Sequence, residues 1–319
     1  MKVLFTADVH IKLGQKNVPN EWSVNRFNLF LEQFGVMQER ADLVIIGGDI
    51  FDRVPTPDEL GLYLDFVSSF TKPTIIYSGN HEAIKKDTTF LSFLKRGTKN
   101  LNPLVSIVDD FYSLPAFNVD IVPYNKLRTF VDEYSMLDFH EKILCTHVRG
   151  EIPPHVKPEI NLDLLNRWEV VLAGDLHSYD NSQRNILYPG SPYTTSFHRD
   201  LVETGAILLD TETLKHEWIK FDLPQLLRKT IRAGDPMPAT TFHHTIYEVE
   251  GDLLELAGVE NTALLDKKIS KRETDVALIL DPTMSIRDEL REYLLYIVQL
   301  DEAACDRALH YFDEIRLND

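Results

Sequence analysis

Five short blocks of the sequence carry side chains that bind divalent metal ions, and each block directly follows an apolar run. They are Asp8-Val9-His10, Gly47-Gly48-Asp49-Ile50-Phe51-Asp52, Gly79-Asn80-His81-Glu82, Thr146-His147 and Gly174-Asp175-Leu176-His177. Carboxylate, amide and imidazole groups without thiolates favour manganese, iron or magnesium over a structural zinc ion. Because a pair of such ions can hold a phosphate group and activate a water molecule, this set of side chains predicts phosphoester hydrolysis.

The spacing of the blocks predicts how the ligands divide between two ions. Ions about 3.5–4 Å apart need a bridging ligand, and the two oxygens of Asp49 suit that position. The other ligands form two sets, Asp8, His10 and His177 for one ion and Asn80, His147 and Asp175 for the other. A water molecule shared by the two ions would attack phosphorus in line with the leaving oxygen, so we expect hydrolysis without a covalent intermediate.

Two further residues of the blocks are candidates for proton transfer. His81 follows the ligand Asn80 and could protonate the leaving oxygen or hydrogen-bond the charge that develops on it. Asp52, three residues after Asp49, could accept a hydrogen bond from the other ring nitrogen of His81 and fix its tautomer. A single histidine at a strand end is more often structural than catalytic, but five blocks in this order make coincidence improbable.

The runs that precede the blocks must position these side chains. They are short and rich in apolar or β-branched residues, which is typical of buried strands, and they lie at 3–5, 43–46, 74–77, 142–145 and 170–173. The carboxyl ends of neighbouring strands open into loops at one edge of an α/β sheet, so the five blocks can converge on one pocket. Apolar residues at helical spacing in 23–40 and 57–70 predict helices that flank the sheet.

The regular alternation of strands and helices ends near Asp222, and this predicts three regions. Residues 1–222 form the main domain, 223–282 a small α/β cap with strands at 226–232, 243–249 and 275–280, and 283–319 the terminal helices. Ser285 starts a capping-box pattern, after which apolar residues repeat on one helical face. These terminal helices either pack on their own domain or dock a partner such as the coiled coil of another subunit.

Composition limits the classes of protein that remain. The chain has 319 residues and a mass of 36.7 kDa, so it is longer than one typical domain of roughly 100–200 residues. Its 44% of hydrophobic residues can build a sizeable core. Its two cysteines, Cys145 and Cys305, provide neither a disulfide framework nor a thiolate metal site, as expected of a cytoplasmic protein. We find no signal peptide and no run near the roughly 20 apolar residues of a membrane span.

The net charge of −17 opposes the binding of nucleic acid over the whole surface. Either the substrate is small, or a local basic strip or a partner provides the affinity for DNA. The candidate strip contains Lys85, Lys86, Lys95, Arg96 and Arg149. A solvated helix face is the alternative interpretation of these lysines.

The motifs resemble those of the calcineurin-like metallophosphoesterases. Within that family the blocks around Asp8, Asp49 and Asn80, together with Leu13-Gly14 and 188–192, are most similar to the SbcD branch. That branch is the nuclease subunit that pairs with an SbcC-like coiled-coil ATPase. The resemblance covers residues 1–222 specifically and the rest loosely. It implies a four-layer α-β-β-α sandwich, here a nuclease domain, with a small C-terminal α/β cap and terminal helices.

The resemblance also implies an activity and partners. We expect a manganese-dependent DNA exonuclease and endonuclease, with magnesium or iron as alternative metals, that processes DNA ends in recombination, repair and replication. We expect a homodimer whose terminal helices dock on the ATPase. The absence of a long tail is expected of a bacteriophage-encoded member, which would act in the host cytoplasm.

Two features depart from the family pattern. Its last block usually reads Gly-His-x-His, whereas this chain has Gly174-Asp175-Leu176-His177, and the loop after His10 is longer by two residues. A carboxylate at position 175 can still bind a hard cation, but its charge would shift the metal preference. Two alternatives therefore stay open: an enzyme of the same fold that hydrolyses a cyclic nucleotide or a dinucleoside polyphosphate, and a weakly catalytic assembly subunit.

Overall fold

The fold is built from two large β-sheets and the helices that cover them. In the computed structural model, residues 1–85, 88–270 and 284–316 are described. The strands are β1 (Lys2–Thr6), β2 (Leu43–Gly47), β3 (Thr74–Tyr77), β4 (Ala83–Lys85), β5 (Thr88–Thr89), β6 (Val105–Val108), β7 (Tyr112–Leu114), β8 (Val119–Val122), β9 (Ile143–His147), β10 (Val170–Gly174), β11 (Ile186–Leu187), β12 (Gly205–Asp210), β13 (His216–Lys220), β14 (Leu226–Arg232), β15 (His244–Gly251) and β16 (Leu265–Ser270). The α-helices are α1 (Asn20–Gln38), α2 (Pro57–Ser68), α3 (Phe90–Leu101), α4 (Leu127–Glu133), α5 (Leu253–Ala257), α6 (Ile286–Glu292) and α7 (Glu302–Arg316).

The strands that precede the metal blocks are central strands of the two large sheets. The first sheet has the order β13-β12-β1-β2-β3-β6. Strands β1, β2, β3 and β6 are parallel to one another, and β12 is antiparallel to both of its neighbours, β1 and β13. The second sheet has the order β11-β10-β9-β8-β7, with only β7 antiparallel to its neighbour. A smaller sheet, β14-β15-β16, and the hairpin β4-β5 complete the described strands.

Alternation of side chains along the strands produces three apolar layers. Phe5 and Ile45 point between the two sheets, where they meet Ile121 and other residues of the second sheet. Their chain neighbours point the opposite way, and Leu4 packs with the buried faces of α1 and α2. The outer face of the second sheet carries Leu144, which packs against α4 and Trp168. The result is the predicted α-β-β-α sandwich.

The two helices predicted from their periodicity both form. α1 buries Phe27, Phe30 and Phe34 at spacings of three and four residues. α2 starts at Pro57, and Thr56 and Glu59 form a capping box at its first turn. Glu59 also accepts a hydrogen bond of 2.7 Å from the backbone N–H of Leu13, which fastens the loop that follows His10.

The described residues fall into two compact units. One comprises Met1–Ile231, Asp235–Glu248 and Asn261–Lys267, and the other Arg232–Gly234, Val249–Glu260 and the described part of Lys268–Asp319. The boundaries near 222 and 282 stay predictions, and the strand expected at 275–280 lies outside the described residues. None of the helices in the described ranges combines the length and apolar character that a membrane span needs.

Within the second unit, α6 and α7 form a helical hairpin. Ser285 caps α6 by accepting a hydrogen bond from the N–H of Asp288, as the capping-box pattern predicts. Arg287 pairs with Asp313 at 3.0 Å across the two helices. Cys305 and Leu309 of α7 are fully buried. The two terminal helices therefore pack on each other.

We predict that Phe30→Ala destabilises the fold by about 3–5 kcal/mol, because a buried aromatic ring leaves a cavity. The ring of Phe30 is fully buried and lies 5.4–5.8 Å from those of Phe34, Phe66 and Tyr193. Urea denaturation followed by tryptophan fluorescence measures the change. Val36→Ala is the matched control, because Val36 lies on the same helix and is 73% exposed. Equal stability of the two variants would contradict the packing described.

Candidate metal centre

The structure brings all seven predicted metal ligands together at the carboxyl ends of five strands. Two sheets contribute, because β1, β2 and β3 end beside β9 and β10. The ligands that follow or end these strands are Asp8 and His10 (β1), Asp49 (β2), Asn80 (β3), His147 (β9), and Asp175 and His177 (β10). Asp8, Asp49 and His147 are almost completely buried. The sequence blocks therefore form one site.

The backbone of this site adopts conformations that side-chain-bearing residues rarely take. Asp8, His10, Asp49 and Asp175 have positive φ angles of 57°, 46°, 50° and 98°. Cross-loop hydrogen bonds of 3.0 Å from the N–H of Asp8 to the carbonyl of Gly48 and of 2.9 Å from His10 to Asp49 hold two of these turns. Such strain persists only where the surroundings enforce it, and it concentrates at functional sites.

Gly48 allows two of the loops to approach each other closely. It has a φ of 90°, and a Cβ atom at this position would lie 2.5 Å from the backbone nitrogen of Gly79 and 2.7 Å from Nδ1 of His147. Any side chain would therefore push apart the loops that carry Asp49, Asn80 and His147. The glycine is required by both its conformation and the space around it.

One group of ligand atoms consists of His10, His177 and Asp8. The Nε2 atoms of the two histidines lie 3.2 Å apart, and Nε2 of His177 lies 3.8 Å from Oδ1 of Asp8. Oδ2 of Asp49 is 3.7 Å from Nε2 of His10. The ligand atoms of Asp8, His10 and His177 all lie within 4.8 Å of one another, and each can donate a lone pair to a cation. The donor set fits one divalent ion.

A second group forms around Nε2 of His147. It lies 3.0 Å from Oδ1 of Asn80, 3.5 Å from Oδ2 of Asp49 and 4.0 Å from Oδ1 of Asp175. The amide oxygen of Asn80 also faces the two Asp49 oxygens, at 2.9 and 3.2 Å, so it meets only acceptors. The side-chain atoms of Asn80, Asp49, Asp175 and His147 together form a donor set that a divalent ion could bind.

Two ligand histidines have hydrogen-bond partners on the far side of their rings, and for His147 the partner sets the tautomer. Nδ1 of His147 lies 2.9 Å from the carbonyl of Gly47, to which only an N–H can donate, so Nε2 is the nitrogen that is free to bind a cation when the ring is neutral. Nδ1 of His177 lies 3.2 Å from Oγ1 of Thr195. Three residues after Thr195, the backbone N–H of His198 donates to the carbonyl of Leu226 in β14, which connects this part of the chain to the small sheet.

Electrostatics also indicates that a cation belongs in this site. Burial and, to a smaller extent, the neighbouring charge of Asp49 raise the pKa of Asp8 to about 8, although His147 lowers it. Burial lowers the pKa of His147, but Asp49 and Asp8 outweigh it and raise the value to about 9. Burial and the nearby His177 lower the pKa of His10 well below its usual value. Divalent ions would compensate these buried carboxylates.

His81 lies at the edge of the site and is more exposed than the buried ligands. Its Nε2 is 3.8 Å from Oδ2 of Asp49, and its backbone N–H donates to Oδ1 of Asp49 at 2.9 Å. Its Nδ1 lies 2.6 Å from the backbone carbonyl of Asp52. The carboxylate of Asp52 instead pairs with Lys12 at 2.7 Å. The group that orients the His81 ring is thus the main chain of Asp52, not its side chain.

Asp175 forms a two-pronged ion pair with Arg149. Nε of Arg149 lies 2.9 Å from Oδ2 of Asp175, and a terminal nitrogen lies 3.2 Å from Oδ1. The additional negative charge in the last block is therefore balanced within the site. Arg149, which the sequence placed in a basic strip for DNA, lies against the metal centre.

The other cations of that strip lie on separate elements. Lys85 is exposed on β4, and Arg96 is exposed on α3. Lys95 pairs with Asp109 at 2.7 Å. Lys86 lies outside the described residues. Among the described members of the strip, Arg149 is the cation whose contacts connect it to the candidate ligands.

Glu82 has a role that the sequence did not reveal. Its buried carboxylate accepts backbone hydrogen bonds from Asp49 at 3.0 Å, Phe51 at 2.9 Å and Gly79 at 2.8 Å. It therefore holds the turns after β2 and β3 in one arrangement. The signal was present, because Glu82 is the fourth residue of the third block, but a motif does not state which backbone groups its carboxylate will meet.

The two-sheet sandwich has aspartate, histidine and asparagine side chains clustered at its strand ends. This combination of fold and ligand geometry is that of a metal-dependent phosphoesterase. A model of the calcineurin-like phosphoesterase family matches residues 1–179. The chain belongs to the calcineurin-like phosphoesterase family.

Individual relatives refine this comparison. The chain is 42% identical to "Probable exonuclease subunit 1" of Escherichia phage T5, over 97% of each chain. It is 24% identical to the DNA double-strand break repair protein Mre11 of Nanoarchaeum equitans, over 65% of this chain and 66% of that one. The solved structure of an archaeal phosphodiesterase covers 69% of this chain and 100% of its own, with 15% identity and a TM-score of 0.39.

We predict that Glu82→Gln lowers the free energy of unfolding by about 1–3 kcal/mol, because the amide NH₂ group would face a backbone N–H that now donates to a carboxylate. Chemical denaturation measures this change. The control is Glu169→Gln, whose side chain is 56% exposed and pairs with Lys142 at the surface. We expect the control to change stability by less than about 0.5 kcal/mol, as surface pairs do. Equal effects would exclude an organising role for Glu82.

We predict that Mn²⁺ raises the unfolding temperature of the wild type and that Asp49→Asn removes most of this increase, because the groups around His10 and His147 share the Asp49 carboxylate. A cation at about 100 times its dissociation constant stabilises the native state by about 2.7 kcal/mol. Differential scanning calorimetry with and without the metal measures the shift. Asp65→Asn on the exposed side of α2 is the control. A full shift in Asp49→Asn would rule out the shared ligand.

Proposed function

We propose that this protein is a metal-dependent DNA exonuclease and endonuclease, the nuclease subunit of an SbcCD-type complex that processes DNA ends in recombination, repair and replication. The observation that carries the proposal is the convergence of two donor groups on the Asp49 carboxylate. The likeness over 97% of the chain to a phage protein named as an exonuclease subunit supports DNA as the substrate.

The proposed metals are two divalent ions, with Mn²⁺ preferred and Mg²⁺ or Fe²⁺ as alternatives. Asp49 would bridge them. The ligand sets are Asp8, His10 and His177 for one ion and Asn80, His147 and Asp175 for the other. The mixture of carboxylate, amide and imidazole oxygens and nitrogens, without thiolate, suits these metals. When bound, the ions would supply a hydroxide nucleophile and neutralise the phosphate oxygens.

His81 is the proposed proton donor to the leaving oxygen. Its Nδ1 lies 2.6 Å from the carbonyl of Asp52 and must carry a hydrogen to bond it. The opposite nitrogen, Nε2, therefore donates a proton only when the ring is positively charged. Nε2 lies 3.8 Å from Oδ2 of Asp49, one of the candidate ligands. Asp52 acts through its carbonyl group, while its carboxylate holds Lys12 near the site.

Arg149 is the proposed contact to a substrate phosphate among the basic residues. Its guanidinium is fixed by Asp175 and remains 45% exposed beside the second donor group. A guanidinium held in one orientation loses little entropy when it binds a phosphate oxygen. Lys85, Lys86, Lys95 and Arg96 remain candidates for more distant backbone contacts.

The partners are part of the same proposal. An SbcC-like coiled-coil ATPase would dock on α6 and α7, and the protein would form a homodimer that acts in the host cytoplasm. Tyr293, Tyr296 and Tyr311 of the helical hairpin are 48%, 48% and 66% exposed, which leaves aromatic surface for such docking. The word "subunit" in the name of the T5 relative supports an assembly.

Two alternatives keep their own supporting observations. The net charge of −17 suits a small phosphodiester such as a cyclic nucleotide or a dinucleoside polyphosphate better than a polyanion. Arg149 pairs with Asp175, so this carboxylate would bind the second ion more weakly. A weak second metal site is what we expect of a weakly catalytic assembly subunit.

We predict that His81→Ala slows Mn²⁺-dependent digestion of linear duplex DNA by at least about 100-fold, because the leaving alkoxide of DNA needs a proton. Hydrolysis of bis-p-nitrophenyl phosphate should fall much less, since p-nitrophenolate leaves without one. Rates on end-labelled DNA and on the chromogenic ester measure the two effects. The control is His155→Ala, which replaces an exposed histidine outside the five blocks.

Two further measurements, hydrolysis of cyclic nucleotides and calorimetric titration with Mn²⁺, test the two alternatives. If the wild type hydrolyses cyclic nucleotides rapidly and leaves DNA intact, even with the ATPase partner present, the small-molecule alternative is correct. If calorimetric titration finds one weak Mn²⁺ site or none, the assembly subunit is correct. An equal loss on both substrates in His81→Ala would show that His81 supports the metal centre instead of protonating the leaving group.

A further inference from the structure

An apolar pocket of about 480 Å³ lies among the loops of the main unit. Its walls are formed by Ile84, Leu127, Val131 and Ile160, and Tyr124 is the aromatic residue that lines it. The polar side chains of the same lining are those of Lys85, Asn125, Arg128 and Glu159. Volumes of roughly 300–1,000 Å³ with apolar walls and a few polar groups are typical of small-molecule sites.

Tyr124 connects this pocket to the candidate metal centre. Its ring centre lies 6.0 Å from that of the ligand His147, and the two planes are almost perpendicular at 88°. The backbone N–H of Tyr124 donates to the carbonyl of Ser78 at 3.1 Å, and the hydroxyl of Ser78 donates to the side chain of Asn125 at 3.0 Å. The pocket is thereby fastened to the end of β3, two residues before the ligand Asn80.

The opposite side of the pocket is joined to Arg149. The hydroxyl of Tyr124 donates to Glu159 at 2.8 Å, and the backbone N–H of Glu159 donates to the carbonyl of Arg149 at 3.2 Å. Arg149 in turn holds Asp175. A phosphate group held between the metal ligands and Arg149 would therefore have the pocket beside it.

The chemistry of the pocket identifies its ligand. A flat, weakly polar ring attached to a phosphate would place its face against Tyr124 and its edges among apolar side chains. The carboxylate of Glu159 offers an acceptor for an N–H on the edge of that ring. Stacking on one aromatic side chain accepts all four bases, so the site needs no sequence-specific hydrogen bonds.

We propose that this pocket binds a nucleobase of the substrate strand next to the phosphate that is hydrolysed. The proposal rests on the proposed function, because it requires a nucleic acid substrate. It gives the enzyme a way to hold one nucleotide out of the stack while the neighbouring phosphate lies at the metal centre. An apolar side chain of a protein partner is the competing occupant, and the experiment distinguishes the two.

The test uses two esters with the same leaving group, the p-nitrophenyl ester of thymidine monophosphate and methyl p-nitrophenyl phosphate, of which only the first has a base. Val131→Trp fills the pocket, and Tyr124→Ala removes the stacking ring. Tyr124→Phe keeps the ring without its hydroxyl. Val36→Trp, on the exposed face of α1, is the matched control for an added indole.

We expect Val131→Trp and Tyr124→Ala to lower kcat/KM for the thymidine ester roughly tenfold, mostly through KM, since stacking on one aromatic side chain contributes to that extent. Hydrolysis of the methyl ester by Val131→Trp should stay within about twofold of the wild type. In Tyr124→Ala the loss on the thymidine ester should be clearly larger than the loss on the methyl ester, because the Tyr124 ring also packs on His147. Tyr124→Phe should retain most of the activity on both esters. Losses of equal size on both esters, or no loss on either, would overturn the proposal.

A binding measurement separates this proposal from the proposed function. Saturation-transfer NMR with thymidine monophosphate in EDTA should show contact to the base protons in the wild type and in Val36→Trp but not in Val131→Trp. If the wild type cleaves neither ester, the proposed function fails, and the NMR result alone decides the pocket. Absence of base contact in the wild type would leave a protein side chain as the occupant and overturn the proposal.

Discussion

The burial of several carboxylates at one point is the constraint on which the rest of this structure depends. Asp8, Asp49 and Glu82 are nearly inaccessible to water and lie at the ends of adjoining strands. Buried charges of one sign are costly unless they meet hydrogen-bond donors or cations. Glu82 is satisfied by three backbone N–H groups, which shapes the turns that carry the metal ligands. The other two carboxylates, together with the histidines, form a site that divalent ions would stabilise.

Much of the fold and of the ligand set could be predicted from the sequence. The apolar runs before each block became β1, β2, β3, β9 and β10, because short β-branched segments have few ways to be buried. The seven candidate ligands meet because the carboxyl ends of parallel strands in the two sheets lie side by side. Some contacts of the site could not be predicted, because they depend on how side chains of loops far apart in the sequence are oriented toward one another. The Asp52 carbonyl beside His81, the carboxylate of Glu82 beneath two turns and the pairing of Arg149 with Asp175 are of this kind.

The acidic composition and a polyanionic substrate are compatible in this arrangement. Within the strip inferred from the spacing of the lysines, Lys95 is paired with Asp109. Positive charge is instead available locally, in the proposed metal ions and in Arg149. The pocket beside Tyr124 adds an apolar contribution that neither repels phosphate nor depends on salt. Affinity would then depend on the few ångströms around the hydrolysed bond and on the partner, not on the general charge of the surface.

The ion pair between Arg149 and Asp175 has a consequence for how such a site can evolve. The two residues follow different strands, β9 and β10, and lie 26 positions apart, yet their side chains meet at 2.9 Å. Replacing Asp175 by a neutral imidazole alone would leave a guanidinium without its partner beside the metal centre, and losing Arg149 alone would leave an extra negative charge there. Each single step therefore passes through a less favourable intermediate. We therefore expect substitutions at positions 149 and 175 to be epistatic, so that descendants of this chain change both residues together or keep both.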